Sequence, residues 1–225
     1  HSSNPIAETL IVCPDDILAR KFLGNQAQNW PNSTFVNENE FLPAKSRKEL
    51  RDTFEDEYGT ALQRIVKLLA VLEDNSRSTL IMDADTVMLS DKSWLQPDGR
   101  QLMYFRSFHN TQYRAYLEVW GYPYYDEYRQ FVSHHMLMQP EILSAALIAG
   151  LGTCEAEGLV SLVCESFRRL KSPSFALDYD LYGQYINHFH GDRLILDKYA
   201  NVTKLRPDTT EGIGIMIAEE ERSGL

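Results

Sequence analysis

The chain has 225 residues, with 22 Lys and Arg against 32 Asp and Glu, so its formal net charge is −10. General nucleic-acid binders carry surplus Lys and Arg to displace counterions from phosphates, so this charge argues against nucleic acid as a partner. Hydrophobic residues make up 44% of the chain and charged residues 24%, which is typical of a globular protein and excludes a wholly disordered one. No apolar run approaches the roughly 20 residues of a membrane-spanning helix, so we expect no span in this chain.

Strands and helices alternate along the sequence, which predicts an α/β fold. The apolar run Thr9–Cys13 predicts a buried strand, and apolar residues at helical spacing predict an amphipathic helix over 60–74. Residues 79–89 begin as an apolar strand and then turn abruptly acidic. The remaining predicted elements are a strand at 101–105 and helices at 140–151 and 157–170. We expect one domain with a mostly parallel sheet flanked by helices, and ligands beyond the carboxyl ends of its strands.

Two aspartates, Asp83 and Asp85, directly follow the apolar run Leu80–Met82. Buried carboxylates without partners are costly, so an apolar strand that leads into two of them indicates a ligand. Carboxylate oxygens are hard ligands that suit Mg²⁺ or Mn²⁺. A cation held there would neutralise the diphosphate of a nucleotide. The alternative is an exposed turn or helix cap built from aspartates.

The segment Asp83–Val87 fits two classes of enzyme. In glycosyltransferases of the A-type fold, D-x-D holds the metal of a sugar nucleotide. In phosphatases of the haloacid-dehalogenase type, Asp83 would be the nucleophile and Asp85 the general acid, and residues 191–197 resemble the later acidic motif of that class. The phosphatase motif normally occupies the first strand and often has Gly after its second Asp. Here a strand and a helix come first and Thr86 follows, which favours the transferase.

Four segments together carry a resemblance to a known family. They are Gln63–Leu68, Ile81–Val87, Phe131–Leu137 and Leu177–Gly183. Their order resembles a little-characterised, mainly bacterial family of glycosyltransferase-like proteins that are often encoded among surface-polysaccharide genes. The second and third segments are the more specific ones. At the fourth, the family favours Ser-Glu-Tyr-Glu, whereas this chain keeps the acidity with side chains one methylene shorter.

The resemblance implies one A-type transferase domain over residues 1–225, with a donor-nucleotide half at about 9–105 and an acceptor half at about 106–200. Because few residues precede Thr9, we expect the usual first strand of this fold to be missing. The implied reaction moves a sugar from a UDP- or GDP-linked donor to a glycan or other hydroxyl acceptor, with Mn²⁺ or Mg²⁺ as cofactor. Inversion and retention stay open, as does a non-catalytic binding module. We expect a cytoplasmic location, and a position at the inner face of the membrane is one option. Whether an N-terminal targeting segment has been lost stays open.

The resemblance also assigns roles to individual residues. Asp83 and Asp85 would form the metal-binding pair, and Lys67 would contact the donor phosphates unless it is simply a solvated helix lysine. Either Asp180 or Asp178 would be the general base that deprotonates the acceptor hydroxyl. The two are two positions apart, so on a helix at most one would enter the site. Helix capping is the alternative role for both acids.

The histidines add three candidates. On a strand, His134 and His135 would face opposite sides, so one would lie in the core and the other could contact donor or acceptor. We assign His134 to donor binding and His135 to catalysis, with a neutral histidine bonded to the backbone as the alternative. By analogy with some A-type transferases, His190 would be a third metal ligand.

Half of the 12 tyrosines lie between Tyr113 and Tyr128, together with Trp120. Aromatic rings with polar tips stack on sugars, so this segment is predicted to form an acceptor-binding wall or lid. A protein–protein contact is the alternative, and it is the one that a non-catalytic binding module would use. Charged residues within the run make a simple packed core the less favoured interpretation.

Overall fold

The computed structural model describes residues 4, 6–14, 32–74, 78–83, 86, 91–107, 111–122, 126, 128–172 and 177–199, with the backbone alone at 111–113. The helices in this part of the chain are α1 (Ala44–Phe54), α2 (Tyr58–Glu73), α3 (Thr111–Val119), α4 (Pro140–Leu151), α5 (Ala156–Leu170) and α6 (Tyr179–Phe189). The strands are β1 (Thr9–Cys13), β2 (Ser33–Asn37), β3 (Thr79–Met82), β4 (Gln101–Phe105), β5 (His135–Met138) and β6 (Leu194–Lys198). The predicted α/β class is confirmed.

The described strands form three two-stranded pairs. β1 pairs with β2 and β4 pairs with β6 in parallel, whereas β3 and β5 are antiparallel. The side chain of Gln101, at the start of β4, donates to the backbone carbonyl of Leu137 in β5 at 3.1 Å and so joins the second and third pairs. A hydrophobic pattern does not encode strand direction. The sequence therefore could not show that β5 runs antiparallel to β3.

Several elements agree closely with the sequence prediction. β1, β4 and α4 have the expected bounds, and α2 and α5 are displaced by only one or two residues at their ends. The prediction that β1 is buried is wrong, because Leu10 and Val12 are exposed. The predicted strand 79–89 is too long, because β3 already ends at Met82. Of the acidic part of that segment, Asp83 and Thr86 are described, while Asp85 lies outside the described residues.

Helix α2 shows how the sequence builds the core. Its residues Leu62, Ile65 and Leu69 recur at helical spacing and are all buried. Full burial of such a side chain contributes about 1.5–3 kcal/mol. Lys67 lies at the margin of this apolar face, and its ammonium group contacts Asp83, the residue that follows β3.

Helices α4 and α5 supply the other large apolar surfaces. Buried residues of the two helices are Ile142, Leu143, Ala146, Leu147, Leu159, Val160, Val163 and Cys164. Among the described residues, no single helix combines the length and the apolar composition that crossing a membrane requires. α4 and α5 meet those criteria only as a pair, and the two are bent by 46° at the break between them.

Helix α6 makes a very close approach to the segment before β5. A Cβ atom built on Gly183 would lie 2.2 Å from the Cβ of Phe131. On the same helix, the carboxylate of Asp180 accepts a hydrogen bond from the backbone N–H of Phe131 at 2.9 Å. Glycine at this position therefore lets α6 lie against the chain that leads into β5.

We predict that Gly183→Ala destabilises the protein by about 1–3 kcal/mol, because the added methyl group overlaps Phe131 in a packed core. Gly59→Ala is the matched control, since nothing lies within 4 Å of its Cβ. On α2 that substitution should be neutral or stabilising by about 0.5–1 kcal/mol. Urea denaturation followed by circular dichroism measures both changes. Equal stability of the two variants would contradict this close approach.

Candidate functional site

The antiparallel register of β3 and β5 places Asp83 beside His134. Met82 is opposite His135 in the ladder, and the backbone N–H of Asp83 donates to the carbonyl of His134 at 2.8 Å. The side chains then meet, because His134 Nδ1 lies 2.9 Å from Asp83 Oδ2. One oxygen of the aspartate is thus engaged by the neighbouring strand.

The other oxygen of Asp83 is engaged by helix α2. Lys67 Nζ forms an ion pair with Asp83 Oδ1 and lies 3.7 Å from Oδ2 of Asp178. The exposed fractions of the Lys67, Asp83 and Asp178 side chains are 13%, 16% and 7%. Lys67 is therefore a largely buried ion-pairing group and not a solvated helix lysine. The structure brings Lys67, Asp83 and His134, the three residues assigned to donor binding, together in one cluster.

Tyr179 completes this cluster from the first turn of α6. Its hydroxyl lies 3.3 Å from Lys67 Nζ and 3.3 Å from Asp83 Oδ1. Burial, followed by the charges of Asp178 and Asp83, raises the pKa of Tyr179 far above its usual value. The hydroxyl therefore keeps its proton and can donate to a carboxylate. Tyr179 was not predicted as a site residue, although it lies between the two acids of the fourth motif.

The two candidate general bases point in different directions, as the helical spacing predicts. Asp178, the residue that precedes α6, extends its carboxylate towards Lys67 and makes no side-chain capping bond. Asp180 is fully buried and accepts the hydrogen bond from Phe131. A general base must reach the hydroxyl that it deprotonates. The structure therefore favours Asp178 over Asp180, whose carboxylate fixes the chain before β5.

His135 is the first residue of β5 and His134 directly precedes it, and the two side chains differ in burial. His134 is 39% exposed at its side chain, whereas His135 is buried with its ring edge-on to Trp94 and Tyr104, at centroid distances of 4.8 Å and 5.2 Å. Among the described residues, Nδ1 of His135 is buried without a geometrically defined hydrogen-bond partner. Burial lowers the pKa of His135 to about 4. This environment keeps the ring neutral and places it in an aromatic cluster, which does not favour the predicted catalytic role.

Arg106 and Tyr199 border the cluster and were not predicted. The guanidinium of Arg106 lies 4.7 Å from the centroid of the Tyr199 ring, and the Tyr199 ring lies 6.3 Å from that of His134. Burial raises the pKa of Tyr199, while a hydrogen bond with the His134 backbone and the charge of Arg106 oppose that rise. Nothing in the local sequence of either residue suggests a site, because the parallel pairing of β4 with β6 brings them together.

Two predicted groups lie elsewhere. His190 follows the C-terminus of α6, whose 11 residues separate it from Tyr179 by roughly 15 Å. It contacts Tyr185 at a ring distance of 6.2 Å, so its assignment as a ligand beside Asp83 is corrected. Tyr116 and Tyr122 are buried in the main core and form no acceptor wall. Tyr128 is exposed, and the side chains of Tyr113, Tyr124 and Tyr125 lie outside the described residues.

The donors of the cluster have the chemistry of a site for a hard cation. Asp83 and Asp178 place two carboxylates around the single ammonium of Lys67, so these three groups carry a net formal charge of −1. Within the described ranges, no group of three or more His, Cys, Asp or Glu side chains is arranged to hold a metal ion. Asp85, the second residue of D-x-D, lies outside those ranges. A metal would need Asp85 or an equivalent oxygen to complete its coordination.

Comparisons with protein-family models, with curated proteins and with solved structures gave no match. The residues of the cluster and the resemblance in sequence motifs are therefore the support for a function.

We predict that burial of neutral His135 makes stability depend on pH. Its pKa is about 4 in the folded protein against 6.5 in the reference state, so between these values the unfolded chain binds a proton that the folded protein does not. The free energy of unfolding should lose this contribution as the pH falls from about 6.5 towards 4.

Denaturation across this pH range should give a shallower slope for His135→Phe than for the wild type. His188→Phe, at the exposed end of α6, serves as the control and should keep the wild-type slope. Identical slopes for the wild type and His135→Phe would contradict this account.

Proposed function

We propose that the protein is a glycosyltransferase that moves a sugar from a nucleotide-sugar donor to a hydroxyl of a glycan or similar acceptor, with the A-type fold that its motifs resemble. The observation that carries this proposal is the meeting of Lys67, Asp83 and His134. Lys67 is on α2, Asp83 follows β3 and His134 precedes β5, and their side chains converge where an apolar strand leads into D-x-D.

The charges of the cluster suit a nucleotide diphosphate bound with a cation. Asp83 and Asp85 would hold Mn²⁺ or Mg²⁺, and the metal would supply positive charge to the leaving diphosphate. Lys67 and His134 lie close enough to Asp83 to bind phosphate oxygens beside such a cation. The deficit of Lys and Arg across the whole chain makes a divalent cation a natural counter-charge for the donor.

Asp178 is the proposed general base for the acceptor hydroxyl. Both acids are buried, but Asp178 lies 3.7 Å from Lys67 in the donor cluster, whereas Asp180 accepts a hydrogen bond from the backbone of Phe131. Tyr179 holds a proton that it can donate to Asp83 and so positions that carboxylate. In this account Asp178 removes a proton, Tyr179 orients Asp83, and Asp180 fixes the backbone of the chain before β5.

The position of Asp192 does not favour the phosphatase alternative. Asp192 is exposed, and its neighbour Arg193 donates to Gln139 at the C-terminal end of β5. Asp83 lies beside His134 at the opposite end of that strand, about 16 Å from Gln139 at the rise of an extended chain. In a phosphatase of this type, Asp192 of the later acidic motif would have to lie next to Asp83.

Calorimetric titration of the protein with UDP and GDP, with and without Mn²⁺, tests the proposal. We expect binding that depends on Mn²⁺ and that Asp85→Ala or Asp83→Asn reduces by at least about tenfold, because each substitution removes an anionic ligand. Asp52→Asn on α1 is the control, since Asp52 is exposed and forms an ion pair with the exposed Lys48.

Absence of metal-dependent binding of either nucleotide would contradict the proposal. Release of phosphate from sugar phosphates that is lost in Asp83→Asn would instead support the phosphatase. Unchanged nucleotide binding in Asp85→Ala and Asp83→Asn would show that the donor binds elsewhere on the protein.

A further inference from the structure

Lys67 occupies the place where a cation would meet the carboxylates of the cluster. Its ammonium contacts Asp83 Oδ1, lies 3.7 Å from Asp178 Oδ2 and has the Tyr179 hydroxyl 3.3 Å away. The two carboxylate oxygens are ligands that a hard divalent cation also prefers. Within the described part of the chain, the lysine therefore acts as the positive ion of this site.

The ion pair is mostly buried, so it is not an incidental surface contact. The lysine and aspartate side chains are 13% and 16% exposed, and Lys67 is the only Lys or Arg recorded within 4 Å of Asp83 in the described ranges. Carboxylates left without a counter-ion at such burial are unfavourable. Lys67 supplies the positive charge beside Asp83, and His134 and Tyr179 supply its hydrogen-bonding partners.

We propose that Lys67 is an exchangeable internal counter-ion. It neutralises Asp83 in the protein without donor, gives up that carboxylate when the divalent cation binds, and then contacts the anionic diphosphate of the donor. This inference rests on the proposed function, because it concerns the same site. It adds that the metal ion and the ammonium group of Lys67 compete for the carboxylate of Asp83, whereas both contribute to binding of the diphosphate.

Opposite changes in two affinities follow from this competition. Removal of the lysine charge takes away a competitor for Asp83, so Mn²⁺ alone should bind on the order of tenfold more tightly. The same change removes a cation that contacts phosphate, so UDP or GDP should bind on the order of tenfold more weakly at saturating Mn²⁺. A lysine with only a structural role would weaken both affinities or neither.

The experiment uses Lys67→Gln, whose amide can still donate to Asp83, and Lys67→Met as a second neutral variant. Electron paramagnetic resonance of free Mn²⁺ gives the metal affinity without nucleotide, and calorimetry gives the nucleotide affinity at saturating Mn²⁺. Lys48→Met is the matched control, because it removes a lysine from an exposed ion pair with Asp52. It should change neither affinity.

A thermal melt gives an independent readout of the exchange. Without metal, Lys67→Gln should melt below the wild type, and Mn²⁺ should raise its melting temperature by more than it raises that of the wild type. If Lys67→Met does not fold, the Lys67→Gln measurements alone decide.

The outcomes separate the two proposals. If the wild type binds neither Mn²⁺ nor nucleotide, the proposed function fails and this inference fails with it. If the wild type binds both but neither neutral variant binds Mn²⁺ more tightly, the exchange is overturned while the proposed function stands. Tighter Mn²⁺ binding with weaker nucleotide binding supports the exchange.

Discussion

The contact on which the rest of this site depends is the ion pair between Lys67 and Asp83. A mostly buried carboxylate is stable only beside a positive charge or several hydrogen-bond donors. Here the charge comes from α2, one hydrogen-bonding partner comes from His134 before β5, and another comes from Tyr179 in α6. One aspartate therefore ties together three elements that are distant in sequence, and its requirement for partners explains their arrangement.

The packing of the fold keeps these partners in place. The antiparallel register of β3 and β5 sets the distance between Asp83 and His134, and Gly183 lets α6 approach Phe131 closely enough to bring Tyr179 over the end of β3. Asp180 stabilises the same close contact by accepting a hydrogen bond from the backbone N–H of Phe131. The two acids of one motif thus have different tasks, since one supports the fold and the other faces the charged cluster.

Local patterns predicted the elements and part of the site. Periodicity located α2 because its apolar residues recur at helical spacing and are buried, and the motifs of the resemblance located Lys67, Asp83 and His134. Strand direction and the neighbours of each face depend on tertiary pairing, which periodicity does not report. For that reason Arg106 and Tyr199 were missed.

The remaining errors have the same origin. His190 was assigned by analogy, but it lies at the end of α6 away from Tyr179. Tyr116 and Tyr122 were assigned to an acceptor wall from composition alone, but their rings are buried in the main core.

The central claim is that the end of β3 binds a metal with a nucleotide diphosphate. Anomalous scattering at the manganese edge, from crystals grown with Mn²⁺ and UDP or GDP, tests it most directly. The account predicts a manganese peak within about 2.5 Å of a carboxylate oxygen of Asp83, with Lys67 turned from that oxygen towards the diphosphate. A nucleotide bound away from Asp83, or a Lys67–Asp83 ion pair unchanged beside a bound metal, would contradict it.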